Sequence, residues 1–176
     1  SEHYDIFVRN LSTNKIIEKK IINTSGNIVW SLDSKSFFYT PLDKFHRSKK
    51  IYKHVLGTDT KDDQLIFEET DDSFSVSISL TSDEKFFVIS TSDSDTIEEY
   101  FFLAKEEKIK PELFKARKKG IKYSIDSWKN YWYIRTNENA LDYKILRCDH
   151  NNTKKLSVFI PAKNETVIGG FDFLDN

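Results

Sequence analysis

The sequence predicts an all-β fold, a partial β-propeller of about three and a half four-stranded antiparallel blades. Two observations predict it. An alternating strand, a short polar turn and a second strand occur together three times, at residues 27–40, 73–90 and 121–136. Two aromatic residues lead each second strand and recur after 49 and then 45 residues: Phe37-Phe38, Phe86-Phe87 and Tyr131-Trp132. A strand-built repeat of that length is typical of propeller blades.

The repeat continues through a third and a fourth strand in each unit. The third strands share a tyrosine at spacings of 48 and 43 residues, and the fourth share a phenylalanine at spacings of 47 and 45. These landmarks are Tyr52, Tyr100 and Tyr143 in the third strands, and Phe67, Phe114 and Phe159 in the fourth. Several landmarks with one period indicate a true repeat.

Local patterns support the individual elements. Ser75, Ser77 and Ser79 alternate with apolar residues, which is the period-two pattern of a half-buried strand. Turn-forming residues separate the strands: Asp33-Ser34, Gly57-Thr58-Asp59, Ser82-Asp83 and His150-Asn151-Asn152. The charged segment at 104–119 could be helical, but Pro111 interrupts a helix there. We therefore predict a charged loop and a strand in that segment.

We expect a single partial propeller domain over residues 1–176. Residues 4–19 match the third and fourth strands of a unit, and residues 167–174 match a first strand. The expected division is a half-blade at 1–26, full blades at 27–72, 73–120 and 121–166, and the start of a further blade at 167–176. Open blade edges favour association, so we expect a homo-oligomer; closure of a smaller ring by the two ends is the alternative.

Composition excludes several classes of function. The chain has 27 basic and 28 acidic side chains and a net charge of −1, so no overall field favours nucleic acid or a membrane surface. No apolar run approaches the roughly 20 residues of a membrane span. Cys148 is the only cysteine, which excludes an internal disulfide and suits a reducing compartment. We therefore expect a cytoplasmic protein with no nucleic-acid or membrane partner.

The motifs of common active sites are missing from the sequence. No glycine belongs to the Gly-x-Ser-x-Gly motif of a nucleophile elbow or to a phosphate-binding loop. The four histidines have no zinc-ligand spacing: His3, His46, His54 and His150. Cys148 with His150 is better explained as a buried thiol near a turn than as a ligand pair. We therefore predict no catalytic residue, no cofactor and no metal site.

Four further groups could carry function, and each has a plainer interpretation. Residues 92–95, Ser-Asp-Ser-Asp, lack the glycine and distal glutamate of a calcium loop, which favours a solvated hairpin loop. Lys118-Lys119 has no interleaved aromatic platform for nucleic acid, and His54 is better explained as a structural histidine than as a base. An acidic stretch could attract basic peptides, although a charged blade edge explains it as well: Asp59, Asp62, Asp63, Asp71 and Asp72.

Longer stretches carry a family resemblance: NTSGNIVWSLDSKSFFYT at 23–40, IYKHVLGTD at 51–59, LIFEETDDSFSVSISLTSDEKFFVI at 65–89 and YSIDSWKNYWYIRTN at 123–137. With them the chain resembles the propeller domain of the oligopeptidase B (protease II) branch of prolyl-oligopeptidase-like serine peptidases. It departs from that pattern at Lys53, where the family tends to have arginine, and follows it loosely at 92–119 and after Asn137.

The resemblance implies a parent that pairs a seven-bladed propeller with an α/β-hydrolase domain and its Ser-Asp-His triad. Such a parent hydrolyses short peptides after Lys or Arg, and its propeller gates substrate access. No position here matches the triad, so the resemblance implies a non-catalytic propeller portion whose partner is the hydrolase domain, in the same or an adjoining chain. The alternatives are a free-standing propeller-type binding or scaffold module and a metal-dependent hydrolase, which would need clustered histidines and carboxylates.

Overall fold

A computed structural model describes residues 3–18 and 20–174. The described residues form fifteen β-strands and one short 3₁₀ helix, Thr60–Asp62, with no α-helix among them. The strands build three larger antiparallel sheets and a separate two-stranded hairpin, which confirms the all-β prediction. The chain divides into two compact units, the first ending at Ile78 and the second beginning at Ser79. Five residues of the expected end blades lie outside the described residues: Ser1, Glu2, Lys19, Asp175 and Asn176.

The first unit contains a five-stranded sheet and the hairpin. Its strands are β1 (Tyr4–Ile6), β2 (Arg9–Asn10), β3 (Lys15–Ile16), β4 (Ile21–Trp30), β5 (Ser36–Pro41), β6 (Lys50–Val55) and β7 (Gln64–Glu68). The sheet order is β1-β4-β5-β6-β7, so β4 to β7 form the meander expected of a blade, and β2 pairs only with β3. Asp59 precedes the 3₁₀ helix between β6 and β7 and caps it, because its side chain accepts a hydrogen bond from the Lys61 N–H.

The N-terminal segment differs from the expected third and fourth strands of a preceding unit. β1 pairs with β4, with Ile6 opposite Ile21, and therefore extends the first sheet. Burial explains this pairing, because both isoleucines enter the hydrophobic core around Phe37 and Tyr39. The sequence pattern gave a strand at the right place but not its partner.

Two four-stranded sheets follow, and β8 crosses the boundary between the units. The strands are β8 (Ser75–Leu80), β9 (Phe86–Ser92), β10 (Ile97–Leu103), β11 (Glu112–Lys115), β12 (Tyr123–Trp128), β13 (Tyr131–Thr136), β14 (Lys144–Asp149) and β15 (Asn152–Ile160). Their orders, β11-β10-β9-β8 and β12-β13-β14-β15, are again meanders. Residues 104–111 form a loop before β11, which confirms the loop-and-strand prediction for 104–119.

Strand pairing corrects the alignment of the aromatic landmarks. The equivalent second-strand residues are Phe37, Phe87 and Trp132, which lie opposite His54, Phe102 and Cys148 in the third strands. All three aromatic side chains are at most 1% exposed. The alignment of Phe37 with Phe86 is therefore wrong by one residue, because the repeat maintains one buried aromatic position rather than an aromatic pair. Tyr143 likewise precedes β14 instead of lying in it.

The C-terminal segment at 167–174 carries no strand, in contrast to the expected first strand of a further unit. Phe173 stacks on Trp128, with ring centroids 5.5 Å apart. The Ile168 N–H donates a hydrogen bond to the Asp142 carbonyl at 3.0 Å. The segment thus packs through side chains but lacks the ladder of backbone hydrogen bonds that defines a strand.

Candidate functional site

In the first unit, His54 on β6 lies at the centre of a buried polar cluster. Its Nδ1 lies 2.7 Å from Oδ1 of Asp63, and the other oxygen of Asp63 accepts a hydrogen bond from the Tyr39 hydroxyl at 2.8 Å. Its Nε2 lies 3.5 Å from Oε2 of Glu18, which also accepts the Gly57 N–H at 2.6 Å. The imidazole therefore lies between two carboxylates, one from the segment before β4 and one from Asp63, which directly precedes β7.

The His54 cluster is arranged for structure rather than catalysis. Its two ring nitrogens face Asp63 and Glu18, not the hydroxyl or thiol of a nucleophile. Burial, followed by the hydrogen bond to Asp63, raises the pKa of Tyr39, which keeps its hydroxyl protonated as a donor. The contacts connect Glu18, in the N-terminal segment, to the third strand of the sheet. This arrangement is consistent with the structural histidine favoured from the sequence.

In the second unit, a serine, a histidine and an aspartate meet. Ser127 on β12 places its Oγ 3.0 Å from Nε2 of His150 and donates a hydrogen bond to Oδ2 of Asp83 at 2.9 Å. The sequence places Asp83 and His150 in separate turns and does not indicate that they meet. Repeat position could have indicated the contact between Ser127 and His150, because turns after the first and third strands of a meander lie at the same end of the sheet; Asp83 comes from the turn between β8 and β9 of the other four-stranded sheet.

This group has the residue types of a catalytic triad but not the hydrogen-bond order of one. In a Ser-His-Asp triad the carboxylate accepts a hydrogen bond from the imidazole, and the imidazole accepts the serine proton. Here Asp83 accepts the single hydroxyl proton of Ser127 directly. Ser127 is 0% exposed, so its oxygen is closed to a substrate, and burial lowers the pKa of His150. The group is a buried polar network between turns.

Glu99 on β10 is a buried carboxyl whose hydrogen-bond donors are neutral. Ser90 Oγ and the Ile125 N–H each donate to it at 2.7 Å, and its own N–H donates to the Tyr123 hydroxyl oxygen at 2.9 Å. Burial raises the pKa of Glu99 to about 8, and the two hydrogen bonds to its oxygens oppose that shift only in part. At neutral pH the carboxyl is therefore mostly protonated and bridges β10 to β12 as a neutral group.

Glu98, one residue earlier, has a charged partner instead. Arg117 donates to its Oε2 from Nε at 3.0 Å and from Nη2 at 2.8 Å, and to its Oε1 from the backbone N–H at 2.8 Å. Burial by itself raises the pKa of Glu98, but the hydrogen bonds from Arg117 and Tyr100 outweigh it and lower the pKa overall. Successive residues of a strand point to opposite faces, which gives the two neighbours different environments.

The acidic stretch noted in the sequence is largely engaged within the first unit. Asp63 belongs to the His54 cluster, and Asp59 caps the 3₁₀ helix. Asp72 lies 3.2 Å from the guanidinium of Arg47, and Asp71 accepts the backbone N–H two residues further on at 2.9 Å. These internal contacts favour a structural role over the binding of basic peptides.

The other sequence candidates also have structural surroundings. Ser92 ends β9 and pairs with Ile97 of β10, and the loop at 93–96 joins the two strands. Asp93 accepts two backbone N–H groups there at 2.9 and 2.7 Å, which confirms a hairpin loop. Lys118 lies 3.7 Å from Glu138. Cys148 is buried in the core of the second unit, and burial raises the pKa of its thiol to about 11, so the thiolate is rare.

The described residues contain neither a cluster of metal ligands nor a membrane-spanning helix. Within residues 3–18 and 20–174, no three His, Cys, Asp or Glu side chains are grouped so that they could hold a metal ion. No helix in that part of the chain has the length and apolar character needed to span a membrane.

With the fold and its buried clusters defined, the chain can be compared with known proteins. The family model described as the prolyl oligopeptidase N-terminal β-propeller domain matches residues 1–176. The chain belongs to this family. This chain is 29% identical over 185 residues to Protease 2 of Moraxella lacunata, with 97% of this chain and 27% of that protein covered. It is 31% identical over 179 residues to dipeptidyl aminopeptidase BI of Pseudoxanthomonas mexicana, with 98% of this chain and 24% of that protein covered.

Solved structures confirm the fold of this chain and its resemblance to oligopeptidase B. Oligopeptidase B from Leishmania major matches with a TM-score of 0.86 and 26% identity, over 92% of this chain and 23% of that one. Oligopeptidase B from Trypanosoma brucei has the same fold, with a TM-score of 0.81 and 23% identity, over 86% of this chain and 22% of that one. The chain thus spans about a quarter of the length of the curated relatives it matches.

Proposed function

We propose that this chain is the non-catalytic propeller portion of an oligopeptidase B-like serine peptidase. The observation that carries the proposal is the family match over residues 1–176, together with the likeness to oligopeptidase B from Leishmania major. The buried contact between Ser127 and His150, which lacks the order of a triad, favours a catalytic centre elsewhere in the parent.

The proposed parent hydrolyses short peptides after Lys or Arg, and its α/β-hydrolase domain is the direct partner of this propeller. The relative named Protease 2 supports a peptidase, whereas the relative named dipeptidyl aminopeptidase BI indicates a different cleavage position as the competing specificity. The propeller gates access to the site. The likeness in fold to Trypanosoma brucei oligopeptidase B, solved as a closed form with covalently bound antipain, supports this role.

The proposal extends to location and self-association. A single cysteine, Cys148, suits the cytoplasm. In the edge strand β15, Val158 is 60% exposed to solvent and Phe159 is 46% exposed. Exposed apolar residues on an edge strand favour self-association through the blade edges.

Peptidase assays of the pure chain and of the full-length parent test the proposal. We expect the chain alone to leave Arg- and Lys-amidomethylcoumarin substrates intact, and the parent to hydrolyse them until a serine-directed fluorophosphonate blocks it. A dipeptidyl-amidomethylcoumarin substrate distinguishes the competing specificity. Hydrolysis by the pure chain that fluorophosphonate and Ser127→Ala both abolish would overturn the non-catalytic assignment.

A further inference from the structure

Two histidines that are far apart in the sequence meet in the first unit. His3 directly precedes β1, and His46 lies in the loop between β5 and β6. Nε2 of His3 contacts Nδ1 of His46, and the two rings are nearly perpendicular, with centroids 4.3 Å apart. Both residues are exposed to solvent. The absence of zinc-ligand spacing in the sequence does not bear on this pair, because the fold brings it together.

The surroundings of His3 determine which of its nitrogens carries the proton. Its Nδ1 lies 2.8 Å from Oδ1 of Asn23, and the amide nitrogen of Asn23 donates to the Leu42 carbonyl at 3.1 Å. The second contact orients the amide so that its oxygen faces the imidazole. His3 therefore donates from Nδ1 and directs the lone pair of Nε2 at His46. Metal-binding histidines are oriented in this way, by a hydrogen bond from the other ring nitrogen to an oxygen.

The loop that carries His46 is closed by its own hydrogen bonds. Asp43 accepts the backbone N–H groups of Phe45 at 2.7 Å and Arg47 at 3.0 Å, and its second oxygen accepts the Arg47 guanidinium at 3.0 and 3.1 Å. His46 itself has a φ of 64°, and its N–H donates to the Asp43 carbonyl at 2.9 Å. The loop therefore presents the imidazole in a defined position beside a cavity of about 710 Å³ that both histidines line.

We propose that His3 and His46 bind a divalent transition-metal ion, such as Zn²⁺, Ni²⁺ or Cu²⁺, through Nε2 and Nδ1, and that the proton which His46 Nδ1 shares with His3 moves to Nε2 of His46 when the ion takes its place. Imidazole nitrogens bind these ions at about 2.0–2.1 Å, so the exposed rings separate slightly to admit the ion. No third His, Cys, Asp or Glu joins the pair among the described residues, so water from the cavity completes the coordination. The ion links the start of β1 to the loop at 43–47 and fastens the N-terminal strand to the first sheet.

Isothermal titration of the full chain in a non-coordinating buffer near neutral pH tests the proposal. We expect one equivalent of Zn²⁺, Ni²⁺ or Cu²⁺ to bind, with Cu²⁺ the tightest, and no binding of Mg²⁺ or Ca²⁺, which prefer oxygen ligands. His46→Asn removes the imidazole but keeps a residue that tolerates positive φ, so the loop survives. Binding should disappear in this variant and in His3→Gln, and the Cu²⁺ electron paramagnetic resonance spectrum should lose its nitrogen couplings.

A second variant tests the orienting role of Asn23. Asn23 has a φ of 60°, so Asn23→Gly keeps the backbone conformation while it removes the acceptor for His3 and the amide donor to the Leu42 carbonyl. We expect metal affinity to fall by about 10-fold. Asn14→Gly, at another asparagine with positive φ, is the matched control and should bind as the unaltered chain does. No binding by the unaltered chain, or undiminished binding by both folded histidine variants, overturns the proposal.

Discussion

The two units bury an ionisable side chain in opposite ways. In the first unit, His54 is paired with two carboxylates, Asp63 at 2.7 Å and Glu18 at 3.5 Å. In the second, Glu99 is surrounded by neutral donors, and burial raises its pKa to about 8. A buried titratable group is thus stabilised either by a partner or by a proton. The first arrangement is sensitive to removal of the partner, and the second to pH.

Removal of Asp63 breaks the paired arrangement and has the largest expected effect. Asp63→Ala leaves Nδ1 of His54 and the Tyr39 hydroxyl without their acceptor, where the side chains of His54 and Asp63 are each 1% exposed. Loss of one partner of a buried pair costs about 3–5 kcal/mol. Urea unfolding should show this fall in the free energy of unfolding, and hydrogen exchange should quicken in peptides from β6 and β7.

The neighbouring residue provides the control for this prediction. Asp62 lies in the 3₁₀ helix and is exposed, so Asp62→Ala should change the free energy of unfolding by no more than about 0.5 kcal/mol. If Asp63→Ala proves as stable as Asp62→Ala, the cluster does not hold the first unit together.

The pH dependence of the free energy of unfolding tests the arrangement around Glu99 in the second unit. Below pH about 4.5, Glu99 is protonated in both the folded and unfolded states, so it costs nothing. Between about 4.5 and 8 the unfolded state loses its proton first, so the free energy of unfolding falls as pH rises. The fall is at most about 1.4 kcal/mol per pH unit, which amounts to roughly 3 kcal/mol by pH 7. Glu99→Gln should abolish it, as measured by urea unfolding across that range.

Glu98→Gln is the matched control, because it makes the same change one residue away. The pKa of Glu98 is lowered, so its contribution is present at neutral pH and is lost as pH falls through the folded pKa. This variant should therefore lose stability near neutral pH while keeping the fall between about pH 4.5 and 8 that is due to Glu99. Parallel pH profiles for Glu99→Gln and the unaltered chain would contradict the assignment of that fall to Glu99.

The strands of this fold are largely predictable from local sequence, but their register is not. The alternation of Ser75, Ser77 and Ser79 is a property of one strand, and it places β8 correctly. Alignment of the repeats depends instead on which residue lies opposite a buried position. The residue that lies opposite is set by the pairing of two strands and cannot be read from one strand alone. The pairing shows that Phe37 aligns with Phe87 and not with Phe86.

The buried clusters are less predictable still. In the sequence, Glu98 and Glu99 form an ordinary acidic pair in a strand. The fold distinguishes them, because Arg117 lies against Glu98 and the Ile125 N–H, 26 residues further on, lies against Glu99. Ser127 and His150 similarly come together through the pairing of β12, β13 and β14. Contacts of this kind depend on the path of the chain, which residue type and spacing do not specify.

The smallest predicted effect comes from the edge of the His54 cluster. Tyr39→Phe removes the 2.8 Å hydrogen bond to Asp63 but keeps the ring, which stacks on Tyr52 with centroids 6.0 Å apart. The expected loss in urea unfolding is about 1–2 kcal/mol, less than for Asp63→Ala because His54 retains its acceptor. The Tyr39 hydroxyl and the His54 imidazole share the Asp63 carboxylate. Once Asp63→Ala has removed that carboxylate, adding Tyr39→Phe should lower the free energy of unfolding only slightly further. Additive losses in the double variant would mean that the two donors do not depend on Asp63 together.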